Sequence, residues 1–192
     1  MGKKWRAAIL ASGSGSNFEA IVNATRRGEV PIEITKLVYN KEEANVKKRA
    51  ARLDIHALYI SHLNFPTREA FDLKLVSELK KDNVELVILA GWMRLFSASF
   101  LDHFPNTLNI HPSLLPHFRG LHAIERAYSA GVLQTGCTVH RVVVDMDSGP
   151  LVAQSFVRAE GLSLGSLRAK IQEAEHSLYP KAISFFIRNQ EK

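Results

Sequence analysis

Apolar residues fall in short blocks separated by polar, glycine-bearing turns, and the blocks alternate between two periods. Residues 6–12 (RAAILAS) form a compact apolar run that stops at a glycine–serine turn, as a buried strand does. Phe18, Ile21 and Val22 follow at helical spacing. Residues 32–39 (IEITKLVY) read as a second strand, 43–53 as a charge-rich helix and 56–60 as a third strand. Over 67–81 the period is helical again, with Phe71, Leu75 and Leu79 on one stripe. Residues 84–90 (VELVILA), the most apolar run of the chain, predict the central strand. This alternation predicts an α/β fold: a Rossmann-like, mostly parallel sheet with helices on both faces.

After residue 104 the texture changes. A short strand over 107–110 leads into a loop rich in proline and histidine, HPSLLPHFRGLH, and then a helix over 123–130. Two runs, 137–144 and 151–157, flank the turn sequence DMDSGP and predict a hairpin. The last helix starts near Ser163 and carries Leu164, Leu167, Ile171, Ala174 and Leu178 on one face, with Pro180 kinking or restarting it. No repeat and no linker interrupts this order, so residues 1–192 are expected to form a single domain.

Composition narrows the class. With 46% hydrophobic and 23% charged residues, and no dominant type, the chain is neither low-complexity nor coiled coil. Its apolar runs fall far short of the ~20 residues that span a bilayer, so no membrane partner is expected. The lone Cys137 allows no intramolecular disulfide, which favours a cytoplasmic protein. The formal net charge of +6 suits an anionic partner, and no nucleic-acid-binding motif accompanies it. Charge therefore proposes an anion without choosing one.

Two segments carry candidate chemistry. Ser12-Gly-Ser-Gly-Ser-Asn17 stands where the first strand should turn into the first helix. Glycines allow close backbone approach, serines donate hydrogen bonds, and a helix N-terminus offers free N–H groups to a phosphate. The loop is neither the dinucleotide fingerprint nor a Walker A motif, and a plain turn with Asn17 as helix cap is the competing reading. In Thr107-Leu-Asn-Ile-His-Pro112, strand alternation puts Leu108 and Ile110 on one face and Asn109 with His111 on the other. An amide and an imidazole at a strand end can hold a developing oxyanion and move a proton. Asp145 and Asp147 are the available acid partners, although Asp147 before Ser-Gly-Pro could equally serve a turn, and Asn109 and His111 could merely end a strand. The spacing of His111, His117 and His122 matches no metal motif, so no metal is expected.

Taken together and in order, GSGSN, AGWMRLF, NIHPSLLP, GLHA, DSGP and EAEHSLYP closely resemble the folate-dependent glycinamide ribonucleotide formyltransferases of purine synthesis. The resemblance covers essentially the whole chain. It implies a Rossmann-like fold, no metal, and transfer of a formyl group from 10-formyltetrahydrofolate to the amine of glycinamide ribonucleotide. It also implies small-molecule partners, and the oligomeric state is left open between monomer and homodimer. Residue by residue, Asn109, His111 and Asp147 match the family's catalytic trio. Gly15, Ser16, Asn17, Phe18 and Glu19 match the loop that holds the ribonucleotide phosphate, and Glu175 matches an acidic residue near the glycinamide end. Met93, Arg94, Leu95 and Phe96 match the folate-binding segment, Val143, Val144, Asp145, Met146 and Asp147 its opposite wall, and Arg68 an arginine near the folate. The Arg119-Gly pair departs from the pattern and is similar to methionyl-tRNA formyltransferases, which carry an added C-terminal domain. Formyltetrahydrofolate deformylases share a similar trio but add an N-terminal regulatory domain. Neither addition is expected here. A phosphometabolite-binding module is the non-enzymatic alternative, and it leaves the trio without a purpose.

Overall fold

A computed structural model describes residues 4–190; Lys3, part of the basic start of the chain, lies outside the described residues. Seven strands form one sheet in the order β3-β2-β1-β4-β5-β6-β7. They are β1 (Trp5–Ala11), β2 (Ile32–Tyr39), β3 (Ala57–Tyr59), β4 (Leu86–Leu89), β5 (Thr107–His111), β6 (Gln134–Arg141) and β7 (Leu151–Arg158). The helices are α1 (Ser16–Arg26), α2 (Val46–Arg52), α3 (Arg68–Lys80), α4 (Ala98–His103), α5 (Ala123–Ser129) and α6 (Leu164–Gln190). β1 to β5 pair in parallel, and β6 and β7 join as an antiparallel hairpin.

The central strands are apolar on both faces because both are covered. On β1 and β4, Ile9 and Ile88 pack with Phe18 and Ile21 of α1 and Ile183 of α6. Leu10 and Leu89 face the other way, with Phe71 and Leu75 of α3 and Phe100 of α4. α6 is fastened to the sheet by Tyr179. Its fully buried hydroxyl lies 3.0 Å from both the Leu89 carbonyl oxygen, at the end of β4, and the Leu108 carbonyl oxygen, near the start of β5. β1 and β4 are neighbours from which the chain winds in opposite directions, so their carboxyl ends open a crevice of the kind that holds ligands in such sheets.

Three details depart from the expected elements. β6 covers 134–141 rather than 137–144. The ladder to β7 slips between Val139 and His140, and beyond Arg141 regular pairing ends: the Val142 N–H still reaches the Thr107 carbonyl, and Val142 and Val143 line a cavity. Val142 also packs against the core on that side of the sheet, so these valines are shared between core and cavity wall. α4, absent from the periodicity, is a six-residue helix started by Ser97, whose hydroxyl accepts the Phe100 N–H. α6 is one helix through Pro180, which therefore does not restart it, with the proline buried.

Candidate active site

The β1–α1 turn is shaped for an anion. Gly15 caps α1 at φ 78°, and a Cβ there would stand 2.4 Å from the Val46 side chain, so only glycine fits. Asn17 lies inside α1 and does not cap it. The Glu19 N–H is spent on the Gly15 carbonyl, which leaves the N–H groups of Ser16, Asn17 and Phe18 as the open donors of the first turn. Phe18 can contribute only its backbone, because its side chain is fully buried in the core. Glu19 faces Arg49 and Arg52 of α2 and pairs with both, so its carboxylate holds arginines at the turn rather than meeting an anion itself. Arg49 also donates to the Ser14 carbonyl. A cavity of about 460 Å³ opens here, lined by Ser14, Ser16, Arg49, Gln172 and His176 among others. Neither arginine carried a motif in the sequence, where α2 read as a charged helix face.

Asn17 reaches across to α6, where its amide nitrogen donates to Glu175 at 2.9 Å. Burial pushes the Glu175 carboxyl up to about 7, and the Asn17 hydrogen bond only partly offsets it. The amide oxygen of Asn17 is buried with no hydrogen-bond partner.

A second cavity of about 490 Å³ lies across the carboxyl ends of β4 and β5. Met93, Arg94, Leu95 and Phe96 line one side, Val142, Val143 and Met146 the other, with Asn109, His111, His140 and Asp147 at its polar end. Trp92 and Phe96 stack in a row with Phe71 and Phe100, a rigid floor for the loop after β4. Met93, Leu95, Leu121 and Met146 are exposed around the mouth, an apolar rim of the kind that receives a flat organic ligand. Arg68 pairs with Glu69 on the surface of α3, and Val144 and Asp145 face solvent; none of the three lines the cavity. The loop after β4 is tied to the end of β1: Ser12 donates its N–H to the Gly91 carbonyl and accepts the Met93 N–H on its hydroxyl.

At the polar end, the structure brings Asn109, His111 and Asp147 together and adds His140. His111 Nδ1 stands 3.3 Å from Asp147 Oδ2, and His111 Nε2 donates to the Phe118 carbonyl at 2.9 Å. Asp147 also accepts the Gly120 N–H at 2.8 Å. It sits at φ 51°, a left-handed backbone that aspartate tolerates better than most residues, and this turns its carboxylate inward. Asp145 turns the other way and offers only its carbonyl, to Ser148. Burial works to raise the Asp147 carboxyl, but its contacts with His140, the Gly120 N–H and His111 outweigh that and hold it below the ordinary value. Burial is also the largest influence on His111 and lowers it, against the upward pull of the Phe118 carbonyl and Asp147.

His140 escapes sequence reading because a lone histidine in TVHRVVV resembles any strand residue. Only the β5–β6 register, which sets it opposite Asn109, reveals it. Among the described residues no group of three or more His, Cys, Asp or Glu side chains is placed to hold a metal ion.

The sequence profile of the formyl transferase family matches residues 5–183. A Bacillus subtilis protein named phosphoribosylglycinamide formyltransferase is 38% identical over 178 residues, 92% of this chain and 91% of that protein. A trifunctional purine biosynthetic protein of Drosophila pseudoobscura is 40% identical over 93% of this chain, which spans only 13% of that protein's length. The crystal structure of glycinamide ribonucleotide transformylase 1 from Symbiobacterium toebii superposes with a TM-score of 0.95 at 40% identity, covering 98% of this chain and 90% of that one. The matched span includes the residues that line both cavities, and this chain belongs to the formyl transferase family.

Proposed function

We propose that this chain is a phosphoribosylglycinamide formyltransferase, a single-domain enzyme that moves the formyl group of 10-formyltetrahydrofolate to the amine of glycinamide ribonucleotide in purine biosynthesis. The observation that carries this reading is the placement of Asn109, His111 and Asp147 where an apolar cavity meets the loop leading to an anion-binding helix end. One cavity suits a flat, largely apolar formyl donor, the other a phosphorylated acceptor, and the reacting groups would meet between them. The same reading places the enzyme in the cytoplasm, acting on small molecules rather than on nucleic acid or membranes.

The chemistry follows from the side chains. The acceptor amine adds its lone pair to the formyl carbon, and the carbonyl electrons move onto oxygen. The Asn109 amide N–H and the His111 Nε2–H stabilise that oxyanion, and the negative charge developing beside the ring, together with Asp147, draws a proton onto the otherwise lowered imidazole as the adduct forms. The adduct collapses by expelling the folate nitrogen; the amine gives up a proton, the leaving nitrogen gains one, and His111 with Asp147 provides the route between them. The Phe118 carbonyl holds the Nε2 hydrogen of His111, the position that the substrate oxygen would take over.

The test is a paired assay of formyl loss from 10-formyltetrahydrofolate with and without glycinamide ribonucleotide. Consumption that requires the ribonucleotide, with formylated ribonucleotide as product, is the expected result. Consumption without an acceptor would identify a deformylase, and folded protein that consumes nothing would end the proposal.

A further inference from the structure

We infer that Arg126 of α5 is a positioning residue for the reaction: it fixes the turn over 118–122, whose backbone supplies one contact to His111 and one to Asp147. This rests on the formyl-transfer reading of the site. The turn is held in a conformation that its own residues disfavour. Phe118 and His122 sit at φ 53° and 56°, with Gly120 at 82° between them. Bulky residues keep such a left-handed backbone only when their surroundings impose it. Two groups of the turn reach the reacting pair: the Phe118 carbonyl meets His111 Nε2 at 2.9 Å, and the Gly120 N–H meets Asp147 at 2.8 Å. Arg119 lies between those two contacts, and its carbonyl accepts from Arg126 Nη1 at 2.6 Å. The same guanidinium lies 5.9 Å from the centre of the Phe118 ring. Ser113 anchors the chain before the turn, at the His117 carbonyl, and Arg126 anchors the turn itself.

Arg126 does this from outside the ligand sites, since it lines neither cavity. It is exposed, and an exposed arginine ordinarily belongs to a solvated face. Here the acid beside it, Glu125, is taken by Arg168 of α6, and Arg126 turns to the main chain instead. Its backbone N–H donates to the His122 carbonyl, so main chain and side chain of one residue bind two carbonyls of the turn. Its charge bears on His111 as well. Burial is the main reason that ring is lowered, and His140 and Arg126 add to it, against the Phe118 carbonyl and Asp147. Hold and charge are therefore separate effects of one side chain, and the hold is the one that orients both members of the reacting pair.

The test compares Arg126→Met and Arg126→Lys in the full chain, each first shown to fold by its thermal melt. Methionine offers neither hydrogen bond nor charge, whereas lysine keeps the charge and a donor that can reach the Arg119 carbonyl. Arg126→Met should lower kcat about fivefold to twentyfold, less than a lost oxyanion donor costs, with KM for both substrates within about threefold of wild type. Arg126→Lys should recover most of that loss. In an Asp147→Asn background, Arg126→Met should cost clearly less than it does in the wild type, because one of the contacts it sets is already spoiled. About 1 M salt screens an exposed charge but not a direct hydrogen bond, so wild-type kcat at saturating substrate should hold there. A normal kcat in Arg126→Met, whatever its melting temperature, overturns the proposal. So does a loss confined to KM, a loss that lysine does not restore, one that multiplies in full with that of Asp147→Asn, or a wild type that drops to the methionine level in salt. If Arg126→Met fails to fold, Arg126→Gln, whose amide ends two bonds short of Nη1, takes its place under the same criteria. Wild-type turnover is read first. A wild-type chain that cannot formylate the ribonucleotide overturns the function and this role with it, whereas intact wild-type turnover with the wrong variant pattern overturns only the role of Arg126.

Discussion

At the anion-binding end of the cleft, the donors are backbone N–H groups of one turn, and their supports, Arg49 and Gly15, act within two neighbouring elements. At the proton-handling end, Asn109 and His111 come from β5, His140 from β6 and Asp147 from the loop beyond it. The first end is shape made by main chain, which a glycine and a helix start are enough to specify. The second is chemistry made by side chains that meet only when the antiparallel hairpin is added to the parallel sheet. Changes at the first end should therefore act on binding, and changes at the second on turnover.

The sharpest way to break that division is at the second end. Asn109→Ala or Asp147→Asn should each lower kcat by about 10²–10³ and leave KM for the ribonucleotide within a few-fold, as steady-state kinetics will show. A large KM effect with normal kcat would erase the distinction between the two ends. At the first end, Gly15→Ala places a methyl group against Val46 on a left-handed backbone, and the loop must shift. The expected outcome is a KM for the ribonucleotide raised about tenfold or more with kcat little changed, the loss of roughly one good hydrogen bond to a charged group.

The link between the ends offers a smaller, pH-dependent effect. The folded Glu175 carboxyl keeps its proton up to about pH 7, whereas the ordinary group releases it near 4.5. Between those values the folded state binds more protons than the unfolded state, so this group's contribution to stability declines as pH rises through that window and stays low above it. The upper bound is about 3 kcal/mol. Glu175→Gln should be nearly neutral at pH 4 and stabilising relative to wild type at pH 8, measured by urea unfolding at both. A constant difference across pH would remove burial as the cause.

How much of this was legible depended on how local the cause was. β2 occupies 32–39 as its apolar pattern indicates, and Thr67 starts α3 with its hydroxyl on the Ala70 N–H, because both signals lie within one element. The turn at Gly15 was equally visible, being a glycine between a strand and a helix. The sequence misled where a residue answers to something distant. Val142 and Val143 looked like strand because apolar character does not say whether it serves a sheet or a ligand. Glu19 does line the cavity at the anion loop, but the arginines about thirty residues away that hold its carboxylate are invisible in the loop's own sequence. His140 acquires meaning only from a register that no short pattern encodes. Arg68, assigned by likeness alone, stays on the outer surface of α3.

The Tyr179 hydroxyl spans 90 residues of chain to the Leu89 carbonyl and 71 to that of Leu108. During synthesis, the strands that carry both cavities are complete long before the residue that fastens them leaves the ribosome. A nascent chain stalled ahead of residue 179 therefore presents β4 and β5 without their clasp, and with the apolar face that α6 will cover still open to water and to chaperones. Competence for turnover arrives late and together, when the last helix docks.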